Sequence, residues 1–329
     1  MKKLSIIVPR YKENLQSIVP LFSILKIQTN FDINGLEVII CDDNPDDPLS
    51  DTECFDIGRI FGFDISIVHL PENRGPGVAR QYGIDNASGE WLMFCDADDT
   101  LFSANVMSVF FGEIKKYPET DYMSSHWIEE EKDPKTKEFL YVQHDLENTW
   151  MHGKIIKRSL LIENNIRFHD ELRVHEDTYF LSLVADAAKS RRLLTIPTYI
   201  WRWSDNTITR RNDGVYIYKE FPTFIKAVTL ANTELRNRGS KMIAYHVDQL
   251  VLYCFFVLQQ DMWVKPEVEE YRKQSIQMLK NCMVDFWDIY DSSDEQSIRQ
   301  IYMEERAKHF KQNEIEHYSL FEWIQMLKK

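Results

Sequence analysis

Apolar runs and helical periodicities alternate along the first hundred residues. Residues 4–9 (LSIIVP) and 36–43 (LEVIICDD) are short β-branched runs without polar alternation, the pattern of strands buried on both faces of a parallel sheet. Between them, Leu15, Ile18, Val19, Phe22 and Leu25 recur at helical spacing. Residues 65–70 (ISIVHL) predict a third strand, and 77–88 a helix with Gly89 as its C′ residue. A fourth strand, 91–95 (WLMFC), runs straight into Asp96-Ala97-Asp98-Asp99. This β-α-β-α-β order predicts an open, doubly wound α/β sheet, in which ligands sit beyond the carboxyl ends of the strands. The polar clusters fall at those ends: Arg10 to Glu13, Asp42-Asp43-Asn44, Asn73-Arg74-Gly75 and Asp96 to Asp99.

From about 105 to 205 helix and strand signals mix, with many aromatics; after about 215 the pattern is helical. Phe221, Phe224, Ile225, Val228 and Leu235 share one face, closed by Arg236, Arg238 and Gly239. Further helices are predicted over 242–260 and 266–287, and Ser293 with Gln296 makes a capping-box signature before Ile298, Ile301 and Tyr302. No linker-like stretch intervenes. The expected organisation is an α/β domain over 1–214 and a helical region over 215–329 that shapes a substrate site or mediates oligomers.

Charge narrows the function. With 39 Lys+Arg against 52 Asp+Glu in 329 residues, the net charge of −13 disfavours nucleic acid and anionic lipid as partners. The five cysteines are odd in number and scattered, and read as buried small hydrophobes rather than a disulfide framework or zinc knuckle. The N-terminal MKKLSIIVPR is too short in its apolar run for a signal peptide, and 250–258 (LVLYCFFVL) is about half a bilayer span. A cytoplasmic chain without a membrane span is expected, with 250–258 as core helix or dimer face.

The candidate chemistry begins at Asp96-Ala97-Asp98-Asp99. Three carboxylates in four residues repel one another unless a cation shares the site, and hard oxygen ligands at a strand end suit Mg²⁺ or Mn²⁺. The other reading is an N-cap for a helix starting near 101. Asp42-Asp43 fits acceptance of ribose hydroxyls or base N–H groups, or else a loop turn ahead of Asn44-Pro45. Asn73-Arg74-Gly75-Pro76-Gly77 opens a helix whose N-terminus can hold an anion, with Arg74 and Arg80 as charge partners. His126, His144, His152 and His175 read as hydrogen-bonding residues, His175 being notable beside Glu176-Asp177. Trp127, Trp150, Trp201 and Trp203 are either sugar platforms or core.

Together, SIIVPRYKEN (5–14), EVIICDDN (37–44), the stretch 73–99, WMHGKIIKRSLLIENNIRF (150–168), HED (175–177) and WRWSDNTITRR (201–211) resemble glycosyltransferase family 2 over roughly 3–212. The resemblance implies the GT-A fold, a Rossmann-like, mostly parallel sheet flanked by helices. It also implies a nucleotide-diphospho-sugar donor, most commonly a UDP-sugar, a divalent cation (Mn²⁺ or Mg²⁺), and a saccharide or polymer acceptor. By it, Pro9, Tyr11 and Glu13 line the nucleoside pocket, Asp43 holds base or ribose with Asp42 beside it, Arg80 lies near the base and diphosphate, and Asn73 belongs to the nucleotide site. Asp98 is the direct metal ligand, with Asp96 nearer the ribose. Asp177 is the catalytic base, Glu176 is beside it, and Arg210 and Arg211 close over the diphosphate. A carboxylate base opposite a leaving diphosphate gives inversion at the anomeric carbon. Lys12 and Asn44-Pro45 depart from the family pattern at the nucleoside pocket. Tyr199 stands where the Gln-x-x-Arg-Trp signature of processive synthases has Gln, so a single sugar is expected per event. The competing expectations are a sugar-nucleotidyltransferase, disfavoured by the glycine-free loop after the first strand, and a non-catalytic binder that shares the fold.

Overall fold

The computed structural model describes residues 2–145, 149–204, 215–263, 265–293, 299, 301 and 318–329. Chain contacts divide it into two compact units, Met1–Asp205 and Asn206–Lys329.

The first unit is built on a mixed sheet. Strand β1 (Leu4–Arg10) is buried at every position and pairs in parallel with β2 (Leu36–Asp42) and β4 (Trp91–Phe94). β3 (Asp64–His69) extends the parallel part beyond β2. Helix α1 (Leu15–Lys26) starts where the Asn14 side chain accepts the Ser17 N–H at 3.1 Å, and α2 (Asp51–Phe61) where Ser50 accepts from Glu53. α3 (Pro76–Asn86) connects β3 to β4. The helix therefore ends earlier than the expected 77–88, and Gly89 is not its C′ residue. A Cβ on Gly89 would stand 2.5 Å from Ser5 Oγ and 2.6 Å from Ser5 N. Glycine is required there by close approach to β1, a contact remote in sequence.

Beyond β4 the sheet turns mixed. β5 (Thr100–Leu101), α4 (Val106–Lys116), β6 (Tyr122–Lys132), β7 (Phe139–His144), β8 (Lys154–Lys157), α5 (Arg158–Glu163), α6 (Glu176–Ala187) and β9 (Arg191–Trp201) complete the unit. The order is β3-β2-β1-β4-β8-β6-β9-β5, with β7 against β6. β8 is antiparallel to β4 and β6, and β9 runs parallel to β6 through a bulge at Ser125–Trp127. The α/β sheet expected from the sequence is present, in its mostly parallel GT-A-like form flanked by helices. The core packs Leu4, Ile6, Val8 and Phe22 against Val38, Ile40, Trp91 and Met93. Because α4 starts at Val106, the helix expected near 101 does not exist, and Asp98-Asp99 cap nothing.

The second unit is helical: α7 (Tyr216–Asn237), α8 (Ile243–Val257), α9 (Glu269–Met283), α10 (Trp287–Ser292) and α11 (Leu320–Leu327). Phe221, Ile225, Val251, Cys254, Phe255, Leu279 and Trp323 form its core. Within Leu250–Leu258, the expected core helix, Leu250, Val251, Leu252, Cys254, Phe255 and Leu258 are buried and Tyr253 is exposed. The expected capping box at Ser293 and Gln296 lies outside the described residues, as does most of the stretch after it. All five cysteines are free thiols, four of them buried. Among the described residues no helix is long and apolar enough to cross a membrane.

Candidate active site

Three parallel strands and one helix start deliver the polar clusters to the carboxyl edge of the sheet. At the end of β1, Arg10 is buried and donates from Nε to the Glu13 carbonyl at 2.6 Å. The Glu13 carboxylate in turn accepts from the N–H groups of Tyr11 and Lys12. Pro9 is buried, paired in register with Cys41, while Tyr11 is exposed with the Lys12 ammonium 5.0 Å above its ring.

The acidic pair after β2 splits into two different environments. Asp42 has no exposed side-chain surface, and its oxygens accept from Arg10 Nη1 (2.7 Å) and the Leu49 N–H (2.8 Å), with His69 Nδ1 at 3.0 Å. That carboxylate is enclosed by protein donors and holds the strand end together. Asp43 accepts the N–H groups of Arg74 and Gly75, both at 2.7 Å, and Asn73 Nδ2 at 3.1 Å. The opening of α3, expected as an anion site, thus turns two of its backbone donors onto Asp43. Burial pushes the Asp43 carboxyl up, against those same N–H donors. Arg173 donates to Asn73 Oδ1 (2.8 Å) and to its carbonyl (2.7 Å), tying the segment before α6 to this corner.

Arg80, inside α3, is 5% exposed and forks between two carboxylates: Nη2 donates to Asp96 Oδ1 and Nη1 to Glu176 Oε1, each at 2.7 Å. It therefore reaches the end of β4 and the start of α6 at once. Glu176 and Asp177 form the first turn of α6, where acids offset the helix dipole. The residue before them, His175, holds a left-handed backbone with φ 60°, a conformation few non-glycine residues adopt. Burial raises Glu176 against the pull of Arg80. Asp177 is pushed up to about 8, by burial first and by Glu176 next, with Arg80 and Lys154 opposing. Its Oδ1 accepts the Thr178 N–H at 2.7 Å.

The Asp96–Asp99 turn separates its carboxylates by role. Asp96 takes the Arg80 bond. Asp98 is partly buried and pushed up to about 6 by burial, then by Asp96 and Glu13, and among the described residues no side chain donates to it. Asp99 is wholly buried, accepting the Tyr199 hydroxyl at 2.5 Å and the Arg202 N–H at 2.8 Å. One ligand atom each from Asp96, Asp99 and His152 lies within 4.8 Å of the others. His152, expected to be a plain hydrogen-bonding residue, is thus at the acidic cluster, stacked on Tyr199 at a centroid distance of 4.7 Å. Hard carboxylate oxygens, one of them on a side chain raised by crowding, fit a divalent cation of the Mg²⁺/Mn²⁺ kind.

Two residues not expected at the acidic cluster complete the site, one unmentioned in the sequence reading and the other noted there only as a departure from a signature. Lys154 is 1% exposed at the start of β8 and donates to the His152 carbonyl at 3.3 Å; its field acts on Asp177. The signal available was a lysine opening the short strand Lys154–Lys157, directly after Gly153. Gly153, with φ +63°, lets the chain enter β8 there: a Cβ would stand 2.5 Å from Ser125 Oγ. Tyr199 is the other. Of the tryptophans, Trp127 is core at 2% exposure, with His144 stacked on it, whereas Trp150 and Trp201 are half-buried and 5.4 Å apart. Arg210 and Arg211 lie outside the described residues.

Residues 5–166 match the model of the family described as "Glycosyl transferase family 2". The chain is 30% identical over 199 residues to the GalNAc(5)-diNAcBac-PP-undecaprenol beta-1,3-glucosyltransferase of Campylobacter jejuni, covering 56% of this chain and 60% of that protein's length. Its fold is similar to that of S. aureus TarS 1-349 solved with UDP-GlcNAc, with TM-score 0.68 at 20% identity, over 93% of this chain and 88% of that one. It is also similar to the mannosyltransferase PcManGT of Pyrobaculum calidifontis solved with GDP-Man and Mn2+, with TM-score 0.51 at 15% identity, over 99% and 84% of the two chains.

Proposed function

This chain belongs to glycosyltransferase family 2, and on that premise we propose that it is an inverting, cation-dependent enzyme that moves one sugar from a UDP-sugar to a hydroxyl on a saccharide or glycopolymer. The observation that carries this reading is the Asp96–Arg80–Glu176 chain of 2.7 Å bonds. It joins the turn suited to a cation to the helix start that holds Asp177. The C. jejuni relative, named for a lipid-linked glycan acceptor, supports a saccharide acceptor; the UDP-GlcNAc of TarS supports the nucleotide.

In this reading Asp98, with Asp96, holds the cation, which supplies positive charge against the donor's diphosphate. Asp43, kept rigid by the α3 N–H groups, faces the nucleoside, with Pro9, Tyr11, Glu13 and Asn73 around it. Asp177 accepts the proton of the acceptor hydroxyl. The hydroxyl oxygen forms a bond to the anomeric carbon as the bond from that carbon to the diphosphate oxygen breaks, and UDP leaves with the electron pair. Attack opposite the leaving group inverts the anomeric centre. Arg80 fixes Asp96 and Glu176 and takes no part in the transfer. Asp42 maintains the end of β2.

Thermal melting with UDP-, GDP-, CMP- and TDP-sugars, with and without Mn²⁺, tests the reading. A ligand at 100 times its Kd stabilises by about 2.7 kcal/mol, which raises Tm by roughly 5–10 °C for a unit of this size. The expected result is a Mn²⁺-dependent shift with a UDP-sugar that Asp98→Ala removes. An equal shift in EDTA refutes the cation role. No shift with any nucleotide-sugar favours a non-catalytic binder.

A further inference from the structure

The turn after β4 is held by a hydrogen-bond relay to β9 that neither donor nor cation chemistry requires. Tyr199 is 1% exposed, and its hydroxyl works in both directions. It accepts the Asp96 N–H at 3.2 Å and donates to Asp99 Oδ2. The second oxygen of Asp99 accepts the Arg202 N–H at 2.8 Å, at the point where β9 ends. Inside the turn, the Asp99 N–H closes onto the Asp96 carbonyl at 3.0 Å, and the Cys95 N–H is bonded to Ile7 on β1 at 3.1 Å. β5, which follows immediately, pairs Thr100 with Ile200 and Leu101 with Tyr199. The backbone N–H groups of Cys95, Asp96 and Asp99 are thus all anchored. Both Asp99 oxygens are occupied by protein donors, so Asp99 is a strut between two elements about a hundred residues apart, although it lies within ligand distance of Asp96 and His152.

We propose that Tyr199 and Asp99 are a positioning pair that aims the Asp98 and Asp96 carboxylates at the cation and ties their turn to the Arg202 end of β9. The proposal rests on the cation reading above. A cation held by few protein ligands depends on their pre-set direction, and loss of an outer partner typically weakens metal affinity by about 10–100-fold. Tyr199→Phe removes one oxygen and leaves the ring stacked on His152. The Asp96 N–H and one Asp99 oxygen then lose their shared partner.

The test is Mn²⁺ binding in the presence of UDP at pH 8, followed by the EPR signal of free Mn²⁺. Tyr199→Phe is expected to weaken Mn²⁺ binding by about 10–100-fold, and Asp99→Asn to do the same. UDP affinity in EDTA should stay within about twofold of the parent. Ile156→Val, a core change in the neighbouring strand with a destabilisation of about 1 kcal/mol, should leave Mn²⁺ affinity unaltered, so that loss of stability alone does not mimic the effect. If Tyr199→Phe fails to fold, Asp99→Asn carries the test. Mn²⁺ affinity within twofold of the parent in folded Tyr199→Phe overturns the pairing while leaving the cation reading intact. So does abolished binding in Asp99→Asn beside normal binding in Tyr199→Phe, which would make Asp99 a direct ligand. A parent protein that binds UDP but no Mn²⁺ overturns the cation reading and the pairing together.

Discussion

Replacing Asp177 by Asn removes one charge and almost no volume. It should abolish turnover and at the same time stabilise the fold at alkaline pH. The carboxyl titrates near 3.8 when unfolded and at about 8 in the folded chain. Between those values the native state holds the extra proton, so stability falls as pH rises from about 4 to about 8. At 1.36 kcal/mol per pKa unit, the whole shift corresponds to roughly 5–6 kcal/mol. Asp177 and Glu176 titrate as a pair under Arg80 and Lys154, and when Asp177 is neutral the remaining carboxylate ionises more easily. The Asn variant therefore recovers a fraction, about 1–3 kcal/mol above pH 8, or about 2–10 °C in Tm. Asn Oδ1 still accepts the Thr178 N–H, so the helix start is retained.

The assay is a pair of melting curves from pH 5 to 9 alongside turnover. The Asn variant's advantage should be smallest at pH 5, about a quarter of its full size, and largest at pH 9. Turnover should fall by about 10²–10⁴, the usual contribution of a general base, and the parent's kcat/KM should rise with pH to a plateau above about 8. A variant that melts lower than the parent at pH 9, or keeps more than a tenth of the turnover, would refute the assignment of a buried, proton-holding base.

Two further outcomes follow from the same geometry. Arg80→Met leaves Asp96 and Glu176 without their shared guanidinium; with Glu176 buried and Asp96 part-exposed, about 3 kcal/mol of stability should go. Because burial already raises Glu176, the deficit should narrow as pH falls toward 5, and a pH-independent deficit in melting experiments would rule the ion-pair account out. Gly89→Ala puts a methyl against Ser5 N and the Leu4 carbonyl carbon at 2.6 and 2.8 Å, backbone that cannot step aside. A loss of about 1–3 kcal/mol is expected, and an unchanged Tm would show the contact to be wrongly placed.

The parallel strands and α1 were legible because their burial is written locally. β1 and β2 are apolar on both faces, and α1 has its apolar stripe and Asn14 cap. The ends of α3 were not, because Gly89 answers to Ser5, more than eighty residues away. Asp98-Asp99 offered good capping chemistry, and what decided against it was a strand a hundred residues downstream whose Tyr199 and Arg202 claim Asp99. The family motifs pointed to Asp43, Asp96, Asp98, Glu176 and Asp177. They ranked Asp43 ahead of Asp42 for the nucleoside but did not reveal that Arg10 and His69 enclose Asp42. Arg80 shows the limit most plainly. Its place in a Gly-rich helix opening suggested a charge partner for an anion, and no local pattern announced its two bonds to carboxylates 16 and 96 residues away.

The charge arrangement explains why such a site waits for its ligands. Asp96, Asp98, Asp99, Glu176 and Asp177 bring five carboxyls into one corner, against which Arg80 and Lys154 are the buried cations. Among the described residues these two buried cations, with Arg202 acting on Asp98, face five carboxyls in a low-dielectric corner, and protons make up part of the difference. Burial and mutual repulsion accordingly lift Asp98 to about 6 and Asp177 to about 8, and raise Asp99 and Glu176 as well. Asp99 has a donor on each oxygen and is a settled structural group. Asp98 and Asp177 are less firmly held: among the described residues neither accepts from a side chain, and each is met by a backbone N–H. A carboxyl becomes a good ligand or a good base only after losing its proton; in the proposed reaction Asp98 with Asp96 would hold a divalent cation whose charge would favour that loss at the ligands, while Asp177 must lose its own proton before it can take one from the acceptor hydroxyl.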